Sequence, residues 1–206
     1  MCITRKLFTN KSIICLHILY FLKLFISMSF STDYKKKILP QLKDQLNLTN
    51  IHQVPSLDKV IVNIGMWSTV TRKGLKDFGE YEKVLSMITG QKPHLILSRK
   101  NISNFKLRSG MPVMMKTTLR WPKAYDFVHR LITLVLPRVR DYIGTSTKSF
   151  DQGANLSIGI NTTSVFPELD GIDVTLPMWF QITIVPTTSD KIHAKAMLES
   201  MGMIFV

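Results

Sequence analysis

Residues 112–120, PVMMKTTLR, constrain the fold more than any other stretch. Val113, Met115, Thr117 and Leu119 point one way along an extended chain, and Met114, Lys116, Thr118 and Arg120 point the other. A strand with one apolar face and one polar, cationic face belongs to a sheet covered on one side only. The bare side carries positive charge, which suits a polyanion. The surroundings strengthen this reading. Between Glu82 and Asp126 there is no acidic residue, while Lys83, Lys92, Arg99, Lys100, Lys106, Arg108, Lys116, Arg120 and Lys123 all fall in that interval. Arg99 to Gly110 reads as a basic loop with one aromatic, Phe105, and a Ser-Gly turn signal at its end.

Charge is distributed unevenly along the 206 residues. The net +13 sits in the body: residues 33–150 carry 21 Lys/Arg against 8 Asp/Glu, whereas residues 151–206 carry 2 against 6. Such asymmetry points to a nucleic-acid surface or an anionic membrane. Catalytic signatures are missing. No phosphate-binding glycine loop, nucleophile elbow or H-E-x-x-H motif occurs. Asp170 and Asp173 have no histidine beside them and read as loop carboxylates. The five histidines stand singly, and both cysteines, Cys2 and Cys15, lie in the first fifteen residues. Neither a metal site, a cofactor nor a disulfide framework is expected in the body.

Residues 12–30 are strongly apolar and follow Arg5, Lys6 and Lys11. They suit a transit-like extension, a signal or anchor, or a leader ahead of an internal start at Met28. Residues 1–32 are therefore set aside as an N-terminal extension with no stable membrane insertion expected, and 33–206 as a single domain. In that domain Thr32-Asp33 can cap a helix from Tyr34 to about Leu46, with Pro40 a sign of irregularity. KVIVNIG (59–65) is a β-branched strand interrupted by Asn63, followed by a loop holding Arg72, Lys73 and Gly74. A strand asparagine either finds partners inside the protein or is free to donate to a ligand. Helical spacing covers 75–89 up to Gly90. His94 to Ser98 and 112–120 are strands, and Pro122 opens a helix with Ala124, Phe127, Val128, Leu131 and Val135 on one side, ended by Pro137. After an irregular stretch come strands at 155–160 and 179–185. Ser189 then caps a last helix through Ala194, Met197, Leu198 and Met201. The sum is an α+β fold, an antiparallel or mixed sheet with helices packed on one face and the other face open. The tryptophans Trp67, Trp121 and Trp179 form no adjacent stacking pair, so contacts to structured RNA are favoured over splayed bases. A basic RNA-binding assembly factor or an RNA-modifying enzyme is the competing class; the enzyme would need a cofactor loop or acid–base pair.

GQKP (90–93), SRKNISNFKLRSGMPV (98–113), TLR (118–120), RLITLVLPRVRDYIG (130–144), KSFD (148–151) and FPEL (166–169), in that order, resemble the bacterial and organellar form of large-subunit ribosomal protein five. The resemblance covers roughly residues 33–205. It implies an α+β structural protein, not an enzyme, that binds 5S rRNA, or a replacement rRNA, in the central protuberance beside other large-subunit rRNA and neighbouring ribosomal proteins. By position it assigns rRNA contacts to Asn63, Gln91 and Thr118, with Lys92, Lys116 and Arg120 around them. It assigns a loop reaching the peptidyl-site tRNA to Arg99, Lys100, Lys106 and Arg108. A side facing a small-subunit head protein falls on Arg138, Arg140 and Lys148. Where the family has D-G-R-G-N this chain has Asp151-Gln152-Gly153-Ala154-Asn155. Where it has R-G-[LM]-D-I-[TS] the chain has Met178-Trp179-Phe180-Gln181-Ile182-Thr183. Both segments lose charge, which suits an organelle ribosome, with a mitochondrial one expected and a plastid or bacterial one as alternatives.

Overall fold

The computed structural model describes residues 30–74, 78–171 and 178–206. Residues 1–29 of the expected leader, Leu75 at the head of one helix, and Asp173 lie outside the described residues. Five strands form one sheet: β1 (Leu57–Gly65), β2 (His94–Leu97), β3 (Pro112–Arg120), β4 (Leu156–Ile160) and β5 (Phe180–Pro186). Their order is β2-β3-β1-β5-β4, and every pairing is antiparallel. Burial alternates along the strands as the sequence pattern requires. Val60, Val62, Ile64, Met115, Leu119, Phe180, Ile182 and Ile184 are buried, while Lys116, Thr118, Asn63 and Thr183 between them are only partly covered.

Helices cover the apolar side. The first, α1, runs through Phe30–Asp33, a wide i→i+5 turn at Tyr34–Ile38, and Leu39–Gln45. Pro40 is the cause of the irregularity: it has no N–H to offer the preceding turn, and the helix widens so that Leu39 N–H reaches Tyr34 O. The expected cap at Asp33 is not formed. Asp33 is itself helical and its side chain caps nothing, because the helix already includes residues 30–32. Phe30 stacks on His129 at 4.3 Å and its N–H donates to Asp126 Oδ1. The boundary drawn after residue 32 thus falls inside a packed helix.

The stretch expected as a loop after β1 is largely a short helix, α2 (Trp67–Lys73), ended by Gly74 in the left-handed region at φ 61°. Met66 and Val70, one turn apart, are both buried and hold it to the core. α3 (Gly79–Thr89) closes at Gly90, φ 63°, and buries Tyr81, Val84, Leu85 and Ile88. α4 (Lys123–Arg130) carries the expected apolar stripe and repeats the device of α1. Its continuation, Leu131–Val135, is wide, with Leu136 N–H on Leu131 O and Pro137 next. α5 (Lys191–Ser200) buries Ala194, Met197 and Leu198, but its N-cap is Asp190 rather than Ser189, one residue later than expected. Two buried tyrosines tie helices to the start of β1. Tyr34 Oη donates to Pro55 O at 2.6 Å, and Tyr125 Oη accepts from Leu57 N–H at 2.9 Å. Burial, above all, pushes both hydroxyls above the ordinary tyrosine pKa.

Between α4 and β4 the chain is clamped by its own C-terminus. Thr145 N–H donates to Ile204 O and Val206 N–H donates to Thr145 O. Gly144 makes that approach possible: at φ 150°, a Cβ there would lie 2.6 Å from Val206 Cγ2.

Candidate nucleic-acid interface

The register fixes which side chains share the uncovered face. One row runs His94, Lys116, Asn63, Gln181, Gly159 across all five strands. The next runs Thr118, Ile61, Thr183, Ser157, and a third Arg120, Lys59, Val185. Cross-strand partners in antiparallel pairs project to the same side with Cβ atoms about 5 Å apart. Four of the expected rRNA residues, Asn63, Lys116, Thr118 and Arg120, are therefore brought together, with Thr118 diagonal to Asn63. Gln91 and Lys92 lie exposed in the turn between α3 and β2, at the outer edge of β3.

The centre of this patch is chemically unusual. Asn63 Oδ1 is shut off from solvent yet accepts no hydrogen bond, whereas its Nδ2 is not enclosed. An unpaired, covered amide oxygen costs stability, and most proteins avoid it. The side chains of Thr118 and Gln91 also have no hydrogen-bond partner among the described residues. Around them the cations differ. Arg120 and Lys59 both reach Asp58, at 3.8 and 3.5 Å, and Lys92 reaches Glu82 at 3.4 Å. Asp58 is the one strand carboxylate among the described residues. Lys116 makes no ion pair among them. Exposed pairs of this kind contribute only about 0–1 kcal/mol, so they yield readily to a phosphate.

The loop from Arg99 to Gly110 is a built hairpin tip, not a slack connection. Ile102 and Leu107 exchange backbone hydrogen bonds, Ser109 N–H donates to Asn101 Oδ1, and Ser98 N–H donates to Met111 O. Lys106, φ 53°, turns the chain in the left-handed region. Phe105 packs edge-on against Trp67 at 5.6 Å, which braces the tip against α2. Arg99, Lys100, Lys106 and Arg108 are all exposed around it. Arg138, Arg140 and Lys148 belong to the connection from α4 to β4, at the opposite edge of the sheet. Arg138 is held by Asp170 at 3.2 Å; Arg140 and Lys148 have no carboxylate partner among the described residues. In the adjoining turn Asn155 donates its backbone N–H and its amide to Asp151, both at 2.8 Å, which keeps that carboxyl below its ordinary pKa. Ala154 takes φ 59° there, a conformation better suited to glycine.

His94 was missed by sequence reasoning because a lone histidine in a short strand gives no signal until register sets it beside Lys116. Gln181 was seen as outward-facing, but nothing in the sequence placed it opposite Asn63. The FPEL stretch acquires a structural reason: Glu168 binds Arg130 of α4, whose other nitrogen reaches Ile88 O at the end of α3.

Against known proteins, residues 50–108 match the family model for ribosomal protein L5, and residues 112–205 match the model for the C-terminus of the same ribosomal family. Relatives named large ribosomal subunit protein uL5 include that of Thermotoga maritima, 42% identical over 84% of this chain and 93% of the relative. That of Lactobacillus delbrueckii subsp. bulgaricus is 40% identical, over 86% and 97%. The chain belongs to the ribosomal protein L5 family. It is a structural constituent of the large ribosomal subunit, in a family whose role is binding 5S rRNA, and it is not an enzyme. The α+β architecture read from the sequence agrees with the L5 fold.

Proposed function

We propose that the uncovered face of the sheet is the seat of 5S rRNA, with Asn63, Gln91 and Thr118 fixing its position and Lys92, Lys116 and Arg120 neutralising phosphates. The observation that carries this is Asn63 beside Lys116: an amide with an open Nδ2 next to a cation that no carboxylate holds, on a face that no helix covers among the described residues. A rigid antiparallel sheet is a precise platform for such a group. The shallow minor groove of an RNA helix, lined with 2′-hydroxyls, is the surface that neutral donors and acceptors ringed by cations would fit.

Two further contacts complete the reading. The braced tip from Arg99 to Gly110 carries four exposed cations on a rigid stalk, which supports its reaching the peptidyl-site tRNA. The cations at the other edge, Arg140 and Lys148 with Arg138, support a contact to a protein of the small-subunit head. The ribosome in question is mitochondrial on this reading. Support comes from the basic, acid-free residues 1–32, and from alignments that cover 93–97% of the relatives named above but only 84–86% of this chain. The relatives themselves are bacterial. Mass-spectrometric determination of the N-terminus in purified ribosomes distinguishes a processed organellar protein from one that keeps its full length.

Titration of the chain with 5S rRNA at several salt concentrations tests the central claim. Neutralising about six phosphates gives a log–log slope of about −4 to −5. An affinity nearly independent of salt would overturn it.

A further inference from the structure

The polar surface does not stop at β1. Gln181 on β5 is the register partner of Asn63 and is exposed, and its side chain bonds to nothing among the described residues. Two amides thus stand side by side on one face without bonding to each other. Gln181 offers a donor and an acceptor, while Asn63 presents its open Nδ2 as a donor. On the far side of Gln181 the register partner is Gly159, exposed, where a built Cβ meets nothing within 4 Å. The next row continues as Thr183 and Ser157, whose hydroxyls pair at 3.2 Å and keep further hydrogen-bonding capacity. No carboxylate lies on β5 or β4.

We propose that the RNA-bearing surface continues past β1 onto β5 and β4, with Gln181 and Asn63 acting as a paired-amide contact to the minor groove of an A-form RNA helix. Three strands at about 4.8 Å spacing span roughly 10 Å, comparable to that shallow groove. The cationic half of the face, on β3 and the turn before β2, holds phosphates. The neutral half reads hydroxyls and base edges. Gly159 leaves the space in which a ribose can approach the backbone beside Gln181.

This inference rests on the sheet face carrying RNA, and the experiment separates the two. The full chain is titrated with an in vitro transcribed bacterial 5S rRNA at fixed salt. Gln181→Ala is expected to weaken binding about tenfold, the loss for one stranded hydrogen-bonding partner, with the salt slope unchanged. Gly159→Val is the second arm: the added side chain has room and suits a strand, so the melting temperature holds while the groove is blocked, again with about tenfold weaker binding. If the unaltered chain shows no salt-dependent binding, the RNA reading of the face itself falls, and this extension with it. If the unaltered chain binds and Asn63→Ala weakens it, but Gln181→Ala and Gly159→Val bind like the parent, the footprint ends at β1. That result overturns the extension and leaves the β5–β4 half to a protein neighbour.

Discussion

Replacing Asn63 by valine should strengthen the fold and weaken the binding. In the free protein Asn63 Oδ1 is covered and unpaired in a strand whose neighbours are Val62 and Ile64. Leaving a buried acceptor unmade costs about 1–3 kcal/mol. The residue is only partly buried and its Nδ2 is not enclosed, so the low end applies, about 1 kcal/mol. Valine removes that cost and adds the β-branched shape favoured in a strand paired on both sides. For a domain of this size about 1 kcal/mol corresponds to a rise of roughly 2–4 °C in melting temperature. RNA loses its partner at the same position, so affinity for 5S rRNA should drop about tenfold with no change in salt slope, since no phosphate contact is removed. Calorimetry and filter binding on one preparation read both quantities. A lower melting temperature with unchanged RNA affinity would show that Asn63 serves the fold, and would refute the reasoning.

Thr117 is 2% exposed on the apolar side of β3 with its Oγ1 unpaired, so the isosteric Thr117→Val should raise the unfolding free energy by about 1 kcal/mol in a denaturant titration and leave RNA binding alone. Gly144→Ala should destabilise by about 1–3 kcal/mol, because the new Cβ would overlap Val206 and the backbone sits at φ 150°; deleting Val206 in the same background should recover part of the loss. Tyr34 and Tyr125 have pKa values raised in the fold, so their contribution is complete below the free tyrosine value of about 10 and is lost as pH rises through the folded values. Melting temperature should therefore fall on the alkaline side of pH ~10, and less steeply in Tyr34→Phe. Converting Arg99, Lys100, Lys106 and Arg108 together to alanine should spare both folding and entry into large subunits while lowering peptidyl-site tRNA occupancy; exclusion from subunits would make the tip an assembly element instead.

The alternation in 112–120 and in 180–185 was legible because each strand has one face in the core, and a single period separates the two sides. The outward placing of Thr118 and Lys116 followed from it, whereas Asn63 stood out as an amide interrupting a β-branched strand. α2 was not legible. Thr69, Val70 and Thr71 are poor helix formers, and the segment is helical only because Met66 and Val70 are buried against the sheet and Gly74 can turn the chain. The last helix begins one residue later than expected, with Asp190 at the N-cap position making no side-chain capping bond, so the boundary is set by how the chain leaves β5 rather than by a capping side chain. Long-range pairing was wholly hidden. Arg120 and Asp58 meet only because Lys59 faces Arg120 in the β1–β3 register, and Gln181 meets Asn63 only because β5 rather than β4 lies beside β1.

That strand order also explains how the surface divides its tasks. β1 is the middle strand, bonded on both sides to strands that are themselves paired again. A group that must set the position of a large ligand belongs there, where hydrogen bonds on two flanks hold its Cα in place. Asn63 occupies that place and carries no charge. The cations stand at the start of β1, on β3, on the turn before β2 and on the hairpin tip, where long side chains can follow phosphates whose positions vary. Several rest on carboxylates meanwhile, Arg120 and Lys59 on Asp58 and Lys92 on Glu82. Exchanging an exposed carboxylate for a phosphate changes little in energy, so these pairs hold the side chains near the surface without opposing the ligand. Affinity and registration are thus carried by different residues, and a mutation that alters the salt slope should not be one that alters where the RNA sits.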